Sequence, residues 1–181
     1  MKSRNFSSQA IILSRKNYSE ADRIITAFSR DFGKLTFLAK GVRGVKSRKR
    51  GHLEIFNLLN FSASRGRDMN LMTEAEVVNN FSLIRKSLKK TAVAYFLVDV
   101  VKRVTRDEEE HREVFDLLSE YLQKLETTTA MKSLRNDFSY KLLVLLGFWP
   151  SGKILTDTDR VLEEIVEHEL SSIRVGKKIA G

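Results

Sequence analysis

GKLTFLAK, residues 33–40, decides how the first half of this chain is read. Leu35, Phe37 and Ala39 alternate with Lys34, Thr36, Leu38 and Lys40, the period of a strand with one buried face. Arg30-Asp31-Phe32-Gly33 before it has turn chemistry, and Arg23 to Ser29 (RIITAFS) is rich in β-branched and aromatic residues. Further back, Ala10-Ile11-Ile12-Leu13 is a short apolar run. On the other side, Leu59, Phe61 and Ala63 alternate with Asn60, Ser62 and Ser64, and Arg65-Gly66-Arg67-Asp68 forms a turn. Met69, Leu71, Thr73, Ala75 and Val77 then alternate again. The spacing predicts five strands joined by hairpin-like turns, with one wider gap near residues 41–52. Five short antiparallel strands most naturally close into a small barrel, of which the OB-fold is the leading architecture.

From residue 82 the period lengthens. Val93, Phe96, Leu97, Val100, Val101 and Val104 fall on one helical face, as do Val114, Leu117, Leu118, Tyr121, Leu122 and Leu125. Met131, Leu134, Phe138, Leu142 and Leu145 make a third stripe, with Gly147 and Pro150 as stop signals. Leu162, Ile165, Val166 and Leu170 predict a fourth helix, with Asp157, Thr158 and Asp159 as capping candidates. The acidic run Asp107 to Glu110 falls where a helix is expected to begin, favourable for its dipole. The expectation is an α+β chain: an N-terminal five-stranded OB-fold β-barrel over residues 1–80, then an all-helical domain over 81–181.

Charge separates the halves. Residues 1–80 hold 15 basic and 7 acidic side chains, net +8, whereas 81–181 hold 17 and 16, net +1. The surplus therefore marks the barrel as the polyanion-binding half. It lacks an amphipathic helix with bulky anchors, so nucleic acid ranks above anionic lipid. The absence of cysteine excludes disulfides, thiolate zinc sites and cysteine nucleophiles. No stretch approaches the ~20 apolar residues of a membrane span, and the run at Ala10–Leu13 is too short for a signal sequence. A cytoplasmic, nucleoid-associated protein is expected.

The densest constellation is KGVRGVKSRKRG, residues 40–51, with six basic residues, three glycines and no acid. Glycine lets a backbone approach phosphates, and Lys and Arg neutralise them. Lys40, Arg43, Lys46, Arg48, Lys49 and Arg50, joined by Arg65 and Arg67 at a second turn, are the expected DNA-binding residues. Phe6, Tyr18, Phe32 and Phe56 are available for base stacking, but the sequence does not choose among them. Enzyme signals are poor. Residues 147–154, GFWPSGKI, come within one residue of a phosphate-binding loop, but Ile154 stands where a magnesium-holding hydroxyl is needed. His52, His111 and His168 are scattered, and Glu164, Glu167 and His168 read as a charged solvent face. No catalysis, cofactor or metal is expected.

The opening AIILSRKNYSEADRIITAFSRDFGKLTFLAKGVRG resembles the first strands of the RecO family of recombination mediators, in which a Tyr-x-Glu-x-Asp-Arg step leads to a Phe-[Ser/Thr]-Arg-x-x-Gly-[Lys/Arg]-Leu turn. Those positions here are Tyr18, Glu20, Asp22, Arg23, Phe28, Ser29, Arg30, Gly33, Lys34 and Leu35. AKGVRGVKSRKRGHLEIFNLLNF, Thr73-Glu74-Ala75-Glu76 and LLGFWP are also similar to the family, and SSIRVGKKI is a weaker match. The resemblance implies an OB-fold followed by a helical domain, without enzymatic turnover. It implies binding to single- and double-stranded DNA, annealing of complementary strands, and docking on single-stranded-DNA-binding protein and RecR to help load RecA. In the family the acidic, aromatic-ended tail of single-stranded-DNA-binding protein docks on the helical domain. The helix bearing Tyr95, Lys102 and Arg103 offers a matching mixture of apolar and cationic groups. Many members carry a four-cysteine zinc element after Leu-Gly-[Phe/Tyr]-x-Pro; here LLGFWP runs through SGKILTDTD into the last helix without a cysteine, so this chain is expected to fold without zinc. The competing reading is a basic OB-fold RNA-binding or ribosome-associated assembly factor; an inert scaffold is a third.

Overall fold

A computed structural model describes residues 4–44 and 51–179, with side chains described through residue 168. Strands β1 (Asn5–Tyr18), β2 (Asp22–Ser29), β3 (Gly33–Ala39), β4 (Leu58–Ser64) and β5 (Asn70–Asn79) close into a barrel in the order β1-β2-β3-β5-β4. All neighbours are antiparallel except β3 and β5, whose short parallel pairing, Phe37 to Asn70 and Leu38 to Leu71, completes the OB arrangement.

β1 is much longer than its apolar run, since its first half pairs with β4 and its second half with β2, and the run itself is buried on both faces. Ala10 and Ile12 join Ile25, Phe37, Leu59 and Phe61 inside the barrel. Ile11 and Leu13 instead join Phe28, Phe56 and Leu58 in a second core, shared with the helices. A strand with two dry faces has no alternation to read. Bulges complicate the pattern further. The β1–β2 register skips Leu13, and the β4–β5 register pairs Ser62 with Glu74 and then Ala63 with Met72, leaving Thr73 as the extra residue. The alternation expected through Met69, Leu71 and Thr73 is therefore out of step. Met72 points inward, and the odd-numbered phase resumes only at Ala75, which packs on the barrel core.

The wide gap after β3 folds back on the barrel. The Phe56 N–H donates to the Ile12 carbonyl at 2.8 Å, and the Ile12 N–H to the Asn57 carbonyl at 3.1 Å. Helix α1 (Ser82–Arg85) holds this segment from outside. The Arg85 guanidinium donates to the Ile55 carbonyl at 2.9 Å and to Asn57 Oδ1 at 2.7 Å, and lies 4.1 Å over the Phe56 ring.

The remaining helices are α2 (Leu88–Val104), α3 (Arg112–Thr127), α4 (Met131–Leu145) and α5 (Thr158–Ile179). Every residue of the α3 stripe is buried. On α4 the stripe shortens: Leu142 and Leu143 are buried but Leu145, in the last turn, runs off the core and is 45% exposed. Asp157 caps α5, its Oδ1 accepting from the Arg160 N–H at 3.0 Å, and α5 packs on α2 and α4. The acidic run does not start a helix. α3 begins only at Arg112, and Asp107–Glu110 lie in the loop before it, pressed against the β2–β3 turn.

That contact fastens barrel to helices. Lys34 Nζ donates to the carbonyls of Lys102, at 2.8 Å, and of Thr105, where an ammonium meets the negative end of the α2 dipole. It also lies 3.3 Å from Asp107 Oδ1. The Glu108 N–H donates to the Lys34 carbonyl at 2.9 Å. Arg112 donates to Asp31 at 2.6 Å. The hydrogen bond from Ser8, with the charges of Arg112 and Arg30, holds the Asp31 carboxyl below its ordinary range against the opposing effect of burial.

A second polar cluster joins α3 to α4. The Tyr121 hydroxyl donates to Asp137 and accepts from Lys141 Nζ at 2.8 Å, while Lys141 lies 3.1 Å from Asp137. Burial raises the Asp137 carboxyl, but the hydrogen bonds from Tyr121 and Lys141 together outweigh it and bring it below the ordinary range. A depressed carboxyl contributes stability that is present above its unfolded value of about 3.9 and is lost as pH falls through the lower folded value. Asp137→Asn is therefore expected to lower the melting temperature at neutral pH and flatten its decline below about pH 4. Melts from pH 7 to the acid limit test this; an unchanged acid slope would remove the cluster from the acid response.

Candidate nucleic-acid interface

Lys40 follows the last residue of β3 and is exposed. The chain beyond it is fastened to the β1–β2 turn. Val42 is buried in the barrel core, and the Gly41 N–H donates to Asp22 Oδ1 at 2.8 Å. The Arg43 N–H donates to the Ala21 carbonyl at 2.9 Å, and its guanidinium to the Ser19 carbonyl at 3.1 Å. The basic run thus leaves the barrel from a fixed point beside that turn. Lys46, Arg48, Lys49 and Arg50 lie outside the described residues.

The second pair of arginines sits elsewhere. Arg65 is part-buried, its guanidinium 5.2 Å from the centre of the Phe6 ring, and its N–H donates to the Arg4 carbonyl at 2.8 Å. Arg67 is exposed at the β4–β5 turn. Gly66 is required there, because a Cβ would stand 2.1 Å from the Met69 carbonyl oxygen. In the parallel register Phe37 pairs with Asn70, so Lys40 lies past the C-terminal end of β3 and Arg67 ahead of the N-terminal end of β5. They flank opposite ends of the β3–β5 seam and do not form one tight cluster.

The outer face adds a cation that alternation in β1 would have revealed had the bulge at Leu13 not shifted its phase. Ile25 and Phe37 point inward, so their neighbours Ile24 and Leu38 point outward; Lys16 pairs with Ile24, and Leu38 with Leu71. Lys16 is exposed, and Ile24, Leu38 and Leu71 are part-exposed. The four stacking candidates also separate. Phe56 is fully buried, and Phe6 packs edge-on against Phe32 and Phe61. Tyr18 is 50% exposed.

On the helical side, Tyr95 is 48% exposed and meets Phe56 edge-on, with ring centres 5.6 Å apart. Lys102 lies two helical turns further along α2 and is part-exposed; Arg103 is exposed and bonded to Asp99 at 2.7 Å. The GFWPSGKI segment follows a helix and closes on itself: the Gly152 N–H donates to the Tyr140 hydroxyl at 3.0 Å, and Trp149 Nε1 to the Lys153 carbonyl at 3.2 Å. Among the described residues no three His, Asp or Glu side chains converge as a metal site would require, and no helix is long and apolar enough to cross a membrane.

A closed barrel of OB order, with cations at both ends of its β3–β5 seam and four longer helices behind it, defines an OB-barrel protein with an appended helical body. The chain belongs to the RecO family: residues 1–81 match the family described as Recombination protein O N terminal, and residues 85–153 the one described as Recombination protein O C terminal. It is 32% identical over 149 residues to the DNA repair protein RecO of Dehalococcoides mccartyi, covering 82% of this chain and 59% of that one. To the protein of the same name in Syntrophus aciditrophicus it is 36% identical over 147 residues, covering 79% of this chain and 56% of the relative. For that of Pelotomaculum thermopropionicum the identity is 32% over 145 residues, covering 80% and 56%. The chain thus spans less than two thirds of the length of these relatives.

Proposed function

We propose that this chain acts in DNA repair and homologous recombination, binding single- and double-stranded DNA through the basic end of its barrel and annealing complementary strands. In this reading residues 1–80 are the DNA-binding unit, and 81–181 receive protein partners: single-stranded-DNA-binding protein at Tyr95, Lys102 and Arg103, RecR, and through them RecA. The protein turns over no substrate. The observation that carries the reading is the fastening of Gly41 and Arg43 to the β1–β2 turn, which anchors the start of a six-cation run on an OB barrel.

Neutralising Arg48, Lys49 and Arg50 together tests it. Single-strand affinity should fall, and the slope of log affinity against log salt should flatten by about two units, at ~0.7 per lost phosphate contact. Annealing should fall in parallel, and the Arg→Lys variant at positions 48 and 50 should keep most of the affinity, since a phosphate anchor needs charge more than a planar fork. A normally folded triple variant with unchanged affinity and slope would place the DNA face elsewhere. Competition with RNA of equal length separates the recombination role from an RNA-binding one.

A further inference from the structure

We propose that Tyr18 is a base-stacking platform on the barrel, the aromatic contact that distinguishes single-stranded from double-stranded DNA. The inference rests on the reading of the barrel as a DNA-binding surface and assigns one side chain within it. Tyr18 is the last residue of β1 and pairs with Asp22 across a turn in which Ser19 takes the left-handed conformation, φ 52°. Half of its surface is open, and among the described residues its side chain makes no hydrogen bond, ion pair or ring contact. The other tyrosines are engaged: Tyr95 against Phe56, Tyr121 with Asp137 and Lys141, and Tyr140 with Gly152.

Its neighbours match what a single strand needs. Tyr18 shares the outward face of β1 with Lys16, and that face continues across the barrel through the part-exposed Ile24, Leu38 and Leu71. Arg43 grips the turn through Ser19, and Lys40 stands where the basic run begins. Two acids lie in the same turn, Glu20 and Asp22, the second of which also orients the Gly41 N–H; Lys16, Lys40 and Arg43 outnumber them. An exposed ring beside an apolar strip, edged by cations, holds a base on the ring and its phosphates on the charges. Bases inside a duplex are already stacked on each other and are closed to such a ring.

The test compares wild-type protein with Tyr18→Ala and Tyr18→Phe on three probes of ~20 nucleotides: oligothymidine, the same strand carrying abasic sites, and a blunt duplex. Tyr18→Ala should bind oligothymidine about 5- to 150-fold more weakly, with an unchanged salt slope because no phosphate contact is lost. Its affinity for the abasic strand and the duplex should match wild type, and Tyr18→Phe should match wild type on all three. Unchanged oligothymidine binding by the alanine variant would overturn the assignment. So would an equal loss on all three probes with a normal melt, since the ring would then serve only the shape of the turn. Wild-type protein that binds none of the probes would remove the underlying DNA-binding reading, and the platform with it.

Discussion

Replacing Gly33 by alanine should lower the melting temperature by on the order of 10 °C, although Gly33 lies in a hairpin turn far from the basic run. Gly33 has φ +67°, where an L side chain is strained by about 1–2 kcal/mol. A Cβ built there would also stand 1.9 Å from the Glu109 carbonyl oxygen, so the α2–α3 loop would have to withdraw. That withdrawal breaks the hydrogen bond from Glu108 to Lys34 and loosens the Lys34–Asp107 pair beside it. The combined cost should reach ~2–4 kcal/mol, at about 2–4 °C per kcal/mol for a chain of this size. Thermal melts of wild type and variant decide the matter; a shift below about 2 °C would mean that the loop yields freely and does not fasten the barrel.

Phe28→Ala should be equally damaging, for a different reason. Phe28 is fully buried, yet it belongs to the helical core and not to the barrel interior. Truncating a buried phenylalanine costs about 3–5 kcal/mol, through lost transfer energy and the cavity left behind. Urea unfolding should therefore place Phe28→Ala beside Phe37→Ala, whose ring fills the inside of the barrel. A cost under about 1 kcal/mol for Phe28 would mean that the helices rest on the barrel only loosely.

Both positions bear on what the sequence disclosed. β3 and β4 were legible because each has one dry face and one wet one, and the long helices because their apolar spacing is regular. β1 shows in the sequence only as four apolar residues, because the helices cover the face opposite the barrel interior and erase its alternation. The alternation within β5 predicts the wrong phase because the bulge at Thr73 lies in the pairing with β4, which no single segment encodes. The acidic run resembled a helix start by composition, but its role is to meet Gly33 and Lys34, 70 or more residues earlier in the chain. At the candidate site the cations were legible as charge. The placement of Lys40 and Arg67 toward opposite ends of the β3–β5 seam depends on the strand order. Tyr18 could not be told from Phe6, Phe32 and Phe56 before the packing of those rings was known, since stacking capacity is common to all four and exposure is not.

The wall that Ile11, Leu13, Phe28 and Leu58 share with the helices also limits how this molecule could be rebuilt. An OB barrel with a water-facing outer surface, spliced onto residues 81–181, would set polar side chains against the apolar faces of α2 and α3, and each unpartnered polar group buried there would cost about 1–3 kcal/mol. The reverse graft would leave a greasy flank in solvent, open to self-association. Exposed charges of the barrel can be exchanged one at a time; the flank beneath the helices accepts change only in step with the helices that cover it.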